Sequence, residues 1–238
     1  MELNVFKVDV ILEESEPIPK KETESRVLVI GDLHAPFIKK GYLEFCKEMQ
    51  VKYKANIIVF IGDVLDNHYL SYHEKDPDGL GANAEAELAK LRIAEFHEAF
   101  PNAFVTIGNH DSLANRKAFS SGVSRKWVKS LKEVLDTPNW TFCESKVIDD
   151  VMYLHGVGRI ARSRAKDDMI SVVQGHYHSK SYIEHFVGKK GDRIFAMQIG
   201  TGVDQEAYAF AYGKWGAACH VNVGIVIDGN LPIIEYMD

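Results

Sequence analysis

Val59-Phe60-Ile61-Gly62-Asp63-Val64-Leu65-Asp66 is the stretch on which the reading of the fold turns. Its apolar start has the character of a strand buried on both faces, and it stops at a glycine that delivers a carboxylate. In an open α/β sheet, ligands bind outside the carboxyl ends of parallel strands, where glycine lets the backbone approach closely. One such strand end carries little information. The chain repeats the arrangement at Gly31-Asp32-Leu33-His34, Gly108-Asn109-His110-Asp111, His155-Gly156 and Gly175-His176-Tyr177-His178. Each is an apolar segment running into side chains that can bind metal.

Upstream, 26–30 reads as another buried strand, and 41–54 as a helix. There Tyr42, Cys46, Met49 and Tyr53 recur at i, i+4, i+7 and i+11, the stripe of a helix that covers a sheet. Strand, helix and strand in that order form a βαβ unit, with parallel pairing and a right-handed crossover. Downstream, 71–83 holds Asp76-Pro77-Asp78-Gly79 and is expected as a loop near the site mouth. A helix is expected over 84–100, with Ala89, Ile93, Phe96 and Phe100 on one face and Pro101 as its stop. A strand over 104–107 follows. Ser124 is the expected N-cap of a helix whose apolar face is Trp127, Val128, Leu131, Val134 and Leu135, closed by Pro138.

From residue 151 the pattern changes to short strands over 151–154, 169–173, 182–187, 193–199, 221–227 and 233–236, with a basic segment at 159–166. A βα-rich first half joined to a β-rich second half predicts an α/β fold of two packed mixed sheets flanked by helices. At the N-terminus, a strand over 4–12 runs into Glu, Lys, Ser and two prolines, read as a solvated connector. The expected organisation is an N-terminal strand and connector over 1–25 and a single domain over 26–238.

The 238 residues suffice for one substantial core. Hydrophobic residues at 46% and charged residues at 26% are close to globular averages and suggest neither disorder nor a membrane protein. No apolar run approaches the ~20 residues of a bilayer span. Met1-Glu2-Leu3-Asn4-Val5 lacks the basic start and apolar core of a signal peptide, so a cytoplasmic location is expected. Cys46, Cys143 and Cys219 are scattered and odd in number, which fits buried thiols better than disulfides or a zinc-thiolate cluster. Lys and Arg number 28 against 34 Asp and Glu, a net charge of -6 that weighs against wrapping long nucleic acid.

Taken in order, the five motif pieces resemble the calcineurin-like metallophosphoesterase superfamily over residues 31–178. The resemblance implies a double β-sandwich flanked by helices, with a two-metal site on the loops at one edge. It further implies that Asp32, His34 and His178 hold the first ion, that Asn109, His155 and His176 hold the second, and that Asp63 bridges them. His110 then protonates the leaving oxygen or stabilises the transition state, with Asp66 as its partner, and a hydroxide bridging the metals is the nucleophile.

The residue types give the same direction independently. Carboxylate, imidazole and amide donors suit two divalent transition-metal ions, with Mn expected first and Fe, Zn or Ni as alternatives; Mg²⁺ prefers oxygen donors alone. Two ions roughly 3.5–4 Å apart clamp a phosphoryl group and acidify a shared water. Extended backbone would set Asp32 and His34 on one side, and likewise His176 and His178, with Tyr177 facing away. Taken singly, Asp32 and Asp63 also suit helix caps and His155 a satisfied core histidine; the metal reading rests on their co-occurrence.

Ser/Thr protein phosphatases of the superfamily carry arginine after Gly-Asp-x-x-Asp and glutamate after Gly-Asn-His. Here those positions are Asn67 and Asp111. The expected activity is therefore metal-dependent hydrolysis of a phosphodiester, nucleotide or nucleic acid, without a membrane partner. The alternatives are a protein Ser/Thr phosphatase or a non-catalytic scaffold of the same fold. For the substrate, Arg116 offers either a phosphate fork or a solvated helix-end charge. Arg159, Arg162 and Arg164, with Lys166, form either a basic face beside the metals or a solvated run. His68, in the loop after Asp63, offers either a substrate contact or a surface or core role. His73, His97, His185 and His220 fit surface or core roles, and Tyr208, Phe210, Tyr212 and Trp215 fit packing against a core or partner.

Overall fold

The computed structural model describes residues 24–71, 79–189, 191, 193–207 and 218–238. The strand expected over 4–12, most of the connector, the core of the 71–83 loop and the aromatic segment 208–215 lie outside the described residues.

The stretch around Val59 is a central strand. β1 (Arg26–Ile30), β2 (Ile57–Phe60), β3 (Ala103–Thr106) and β4 (Trp140–Cys143) pair in parallel, in that order. β10 (Asn222–Ile227) adds antiparallel to β1, and β11 (Leu231–Tyr236) closes that edge. The second sheet runs β5 (Ser145–Ile148), β6 (Val151–Leu154), β7 (Ser171–Gln174), β9 (Arg193–Gln198) and β8 (Tyr182–Val187). Its β6, β7 and β9 are parallel, with antiparallel strands at both edges. Both sheets are mixed, as expected.

The period-2 alternation of strands sorts the core into layers. Val27, Val29, Val59 and Ile61 face the second sheet and pack on Val151, Tyr153, Val173, Phe195 and Met197. Leu28, Ile30, Ile58 and Phe60 face the other way. There they meet Tyr42, Cys46 and Met49 of α1 (Tyr42–Tyr53) and Ala89, Ile93 and Phe96 of α2 (Ala82–Ala99). Each such large apolar side chain contributes ~1.5–3 kcal/mol when fully buried. The layers are thus helices, sheet, sheet and a last helix. No helix among the described residues is long and apolar enough to cross a membrane.

Several elements differ from the sequence reading. The segment after Ser124 is a short 3-10 turn, and the helix proper, α4 (Leu131–Leu135), starts at Ser130. The Ser130 hydroxyl accepts from Glu133 N at 3.3 Å, and the Glu133 carboxylate accepts from Ser130 N at 2.9 Å, a capping box that outcompetes the Ser124 start. Trp127 is consequently 84% exposed instead of lining a buried face. α3 (Leu113–Ser120), β4 and β5 were not expected, since none has a clear apolar period. The basic segment is α5 (Ala161–Asp168), which lays Ala161 and Ala165 on Leu154, Val172 and Ala196. Two alanines four apart are a weak signal, yet their small size lets a polar helix sit close to the sheet. Met169, expected to begin a strand, caps α5 in the left-handed region at φ 52°.

Candidate metal centre

All five motif pieces end at the same edge, where the two sheets meet. The β2 end supports the β1 end directly: the Asp63 carbonyl accepts from Leu33 N at 3.1 Å and from His34 N at 2.9 Å. Asp32 is anchored from the β9 side, its carbonyl accepting from Gly202 N at 2.8 Å and the Thr201 hydroxyl at 2.7 Å. Across the sheets, the Asp32 carboxylate accepts from His176 N at 2.9 Å, and within the first sheet the Asp63 carboxylate accepts from His110 N at 2.8 Å. The sandwich therefore clamps the site from both halves.

Three groups of donor atoms converge: Asp32, His34 and His178; His34, Asp63 and His110; and Asp63, His155 and His176. In the last, His155 Nε2 stands 3.0 Å from the Asp63 carboxylate, 3.1 Å from Asn109 Oδ1 and 3.2 Å from His176 Nδ1. His178 Nε2 lies 3.2 Å from Asp32 Oδ2. Donors held at ~2.1 Å from a common centre sit roughly 3.0–3.4 Å from one another, so these separations fit shared ligation. Asp32 Oδ1 is buried without a hydrogen bond, a further acceptor held ready for a cation. Nitrogen and carboxylate donors together fit a divalent transition metal.

The convergence does not come from extended backbone. His34, Asp63 and His176 all adopt left-handed φ values, at 45°, 46° and 71°. Such conformations cost about 1–3 kcal/mol each and persist where surrounding structure over-determines them. The left-handed residue at 176, not strand alternation, turns His176 and His178 into the site. Tyr177 does not face away: its ring packs edge-on against His176 at 4.8 Å between centroids.

Burial and neighbouring charge set the protonation states. Burial holds His34 below the ordinary histidine value despite Asp66 and Asp63. Burial, together with His155, does the same to His176. Burial also opposes the charge on His155, but Asp63 and Asp32 overrule it and push the imidazole up to about 10. Asp63 shows the reciprocal effect: burial would raise it, and His155, His34 and His110 bring it below the usual carboxylate range. His155 Nδ1 lies 3.1 Å from the Ile61 carbonyl, which occupies that nitrogen as a donor and turns Nε2 to the cluster.

Asp66 is shared. Its Oδ1 is 2.7 Å from His34 Nδ1 and 3.4 Å from His110 Nδ1, while its backbone carbonyl is 2.6 Å from His110 Nδ1. The expected dyad is thus a three-residue unit in which the His34 contact is the closer one through the carboxylate. Asn67 Nδ2 donates to the His110 carbonyl at 3.0 Å.

The expected substrate contacts are spread out. Arg116 lines a cavity of about 500 Å³ with Asn115, Phe119 and Glu144. Arg159 pairs with Asp167 at 2.7 Å, Arg162 with Glu184, and Arg164 Nε lies 3.4 Å from Gln174 Oε1. Arg159, Arg162 and Arg164 are therefore engaged with neighbouring side chains. His68 is buried at 4% exposure beside the site loop.

Two buried carboxylates that sequence reasoning passed over hold this edge together. Asp111 accepts from Leu65 N at 3.1 Å and Gly108 N at 2.9 Å, tying the Asp63 loop to the His110 turn. Burial and the Asp63 charge push its carboxyl up to about 7. Glu85 accepts from His68 N at 2.5 Å and Tyr69 N at 3.0 Å, which fixes the loop after Asp66 on the first turn of α2. Asp111 lies inside Gly108-Asn109-His110-Asp111; nothing in the sequence marks Glu85.

A sheet sandwich with Asp, His and Asn donors gathered at its strand ends defines a metallophosphoesterase-type protein. Residues 25–204 match the family described as calcineurin-like phosphoesterase, and the chain belongs to that family. Similar solved structures include Vps29 from Chaetomium thermophilum, at 13% identity and a TM-score of 0.44, covering 84% of this chain and 80% of that one. Vacuolar Protein Sorting 29 from Cryptosporidium parvum has 17% identity, a TM-score of 0.41 and coverage of 90% and 98%. Nuclease MPE from Pseudomonas putida has 14% identity, a TM-score of 0.38 and coverage of 87% for both chains. No curated protein sequence matches the chain.

Proposed function

We propose that the chain is a two-metal phosphoester hydrolase acting on a phosphodiester, nucleotide or nucleic acid. The observation that carries this is the convergence of His155 Nε2 with Asp63, Asn109 and His176 at 3.0–3.2 Å, beside an Asp32 oxygen without a hydrogen bond. Asp32, His34 and His178 would hold one ion, Asn109, His155 and His176 the other, and Asp63 both. When bound, such ions polarise phosphoryl oxygens and supply an activated water.

The chain's own residues do the rest. With Nδ1 directed at Asp66, His110 has Nε2 left to carry a proton to the leaving oxygen, and its side chain is 15% exposed. Asp66 holds that ring through its carbonyl and His34 through its carboxylate, so acid and ligand move as one unit. Asn67 fixes the His110 turn by donating to the His110 carbonyl, so the position where protein phosphatases carry an arginine is spent on structure. This supports diesters and nucleotides over phosphoproteins.

The test is a screen of phosphomonoesters, phosphodiesters, nucleotides and oligonucleotides against stripped protein reloaded with Mn²⁺, Fe²⁺, Zn²⁺, Ni²⁺ or Mg²⁺. Hydrolysis restored by a transition metal is expected. Full activity in verified metal-free protein, or none with any metal and substrate, refutes the reading.

A further inference from the structure

Two glutamines at the ends of neighbouring strands are unaccounted for by the metal set. Gln174 ends β7 and Gln198 ends β9; they are register partners and both are fully buried. Burying a primary amide is costly unless its two N–H donors and its carbonyl are all satisfied. Here they are. Gln174 Nε2 donates to the Gly156 carbonyl at 3.0 Å and the Arg159 carbonyl at 2.6 Å, and its Oε1 is 3.4 Å from Arg164 Nε. Gln198 Nε2 donates to the Gln174 carbonyl at 3.1 Å and to the Gly175 carbonyl, and its Oε1 accepts from Ala161 N at 3.2 Å.

The places served are the informative part. Gly156 directly follows His155, and Gly175 directly precedes His176. Gly156 sits at φ 84°, and a Cβ there would fall 2.2 Å from Gln174 Cδ, so the glycine exists where the amide has to pass beneath the loop. His155 is held from the first sheet through the Ile61 carbonyl, and the glycine after it is held from the second sheet by the Gln174 amide. We propose that the Gln174–Gln198 amide pair is a positioning device that sets the His155 loop against the His176 loop, and thereby fixes the donor set Asn109, His155 and His176. The proposal rests on the two-metal reading of the site.

Two substitutions of similar length separate hydrogen bonding from packing. Gln174→Met keeps the volume and removes both donors. Gln174→Glu replaces the donors with acceptors that face two carbonyls. Stripped full-length parent and variants are titrated with Mn²⁺ by calorimetry, with bound metal counted after gel filtration and the metal-free fold checked by circular dichroism. The parent is expected to take two ions. Each variant is expected to keep one near parental affinity and to bind the other about 10–100-fold more weakly, the usual scale for groups that orient ligands. Gln174→Glu should be the worse of the two. If Gln174→Met does not fold, Gln174→Asn, which keeps the amide but withdraws it by one methylene, is read in the same titration and must weaken the same ion.

Two parental affinities in a folded variant overturn the positioning role. Equal weakening of both ions with a lowered melting temperature also overturns it, because that is general loosening of the fold. A parent that binds no ion instead removes the two-metal reading itself, a distinguishable result.

Discussion

Gly108→Ala tests how tightly the β3 turn is fitted to Asp63. A Cβ built at Gly108 falls 2.0 Å from Asp63 Oδ1 and 2.4 Å from Asp63 N, well inside any tolerable contact. The neighbouring atoms are a backbone nitrogen and the carboxylate proposed to bridge two ions, so neither can yield freely. Relief requires the turn to lift. That opens the bond from His110 N to Asp63 Oδ1, now 2.8 Å, and the bond from Gly108 N to Asp111 Oδ2, now 2.9 Å. Hydrogen bonds to charged groups contribute about 1.5–3 kcal/mol each, so losing both costs roughly 3–6 kcal/mol. Residual overpacking adds ~1–3 kcal/mol. Against a total stability of ~5–15 kcal/mol, this is a large fraction. Urea denaturation of stripped protein measures it, and metal counting should show loss of the Asn109 ion. Gly81→Ser is the control: Gly81 has φ −70°, nothing within 4 Å of its built Cβ, and an N-cap position that favours serine. A Gly108→Ala protein within ~0.5 kcal/mol of the parent and with full metal content would refute the reasoning.

Asp63→Ala should abolish binding of at least one ion, whereas His185→Ala on β8 should leave the metal count unchanged; equal effects in elemental analysis would count against a bridging carboxylate. His110→Ala should retain its metals and lose about 10²–10⁴ in turnover, with the loss shrinking for nitrophenyl esters, whose leaving groups need little protonation; loss of metal would make His110 a ligand. Burial raises the Glu85 carboxyl above its usual range. A raised folded value means that Glu85 contributes most stability below the unfolded value, and that this contribution falls as pH rises through the folded one. Denaturation midpoints of the parent should accordingly drop relative to Glu85→Gln between pH 4 and pH 7, and a constant difference would refute the assignment.

The sandwich was legible because its central strands are continuous apolar runs, the mark of strands covered on both faces. Val27 and Val29 pack on the second sheet while Leu28 and Ile30 pack on the helices, and Val59 and Ile61 divide from Ile58 and Phe60 in the same way. The elements that escaped notice carry their information elsewhere. β4 is half-covered, and its identity lies in Trp140, whose Nε1 donates to the Phe100 carbonyl at 2.8 Å across 40 residues of sequence. α5 is held by two alanines, and α4 begins at the serine that finds a glutamate three residues on, not at the earlier one. Each depends on a partner chosen by the tertiary structure.

The site divides along the same line. Residue types and their order identified the ligand candidates, since a metal needs particular atoms and the strand ends bring them to one edge. How those atoms are aimed was not legible. Extended alternation would have pointed Asp32 with His34, and His176 with His178, but the chain uses left-handed backbone at His34, Asp63 and His176. Such conformations are unfavourable for the residues concerned and are dictated by contacts far away in sequence: the Asp63 carbonyl on His34 N, and the Asp32 carboxylate on His176 N. The strain at three proposed ligands is thus held by hydrogen bonds among their own loops. Because the Asp32 carboxylate accepts from His176 N and the Asp63 carboxylate from His110 N, both side chains have structural roles as well as proposed ligand roles. Their removal should loosen the metal-free protein as well as the metal-bound one, which a denaturation series in chelator would show.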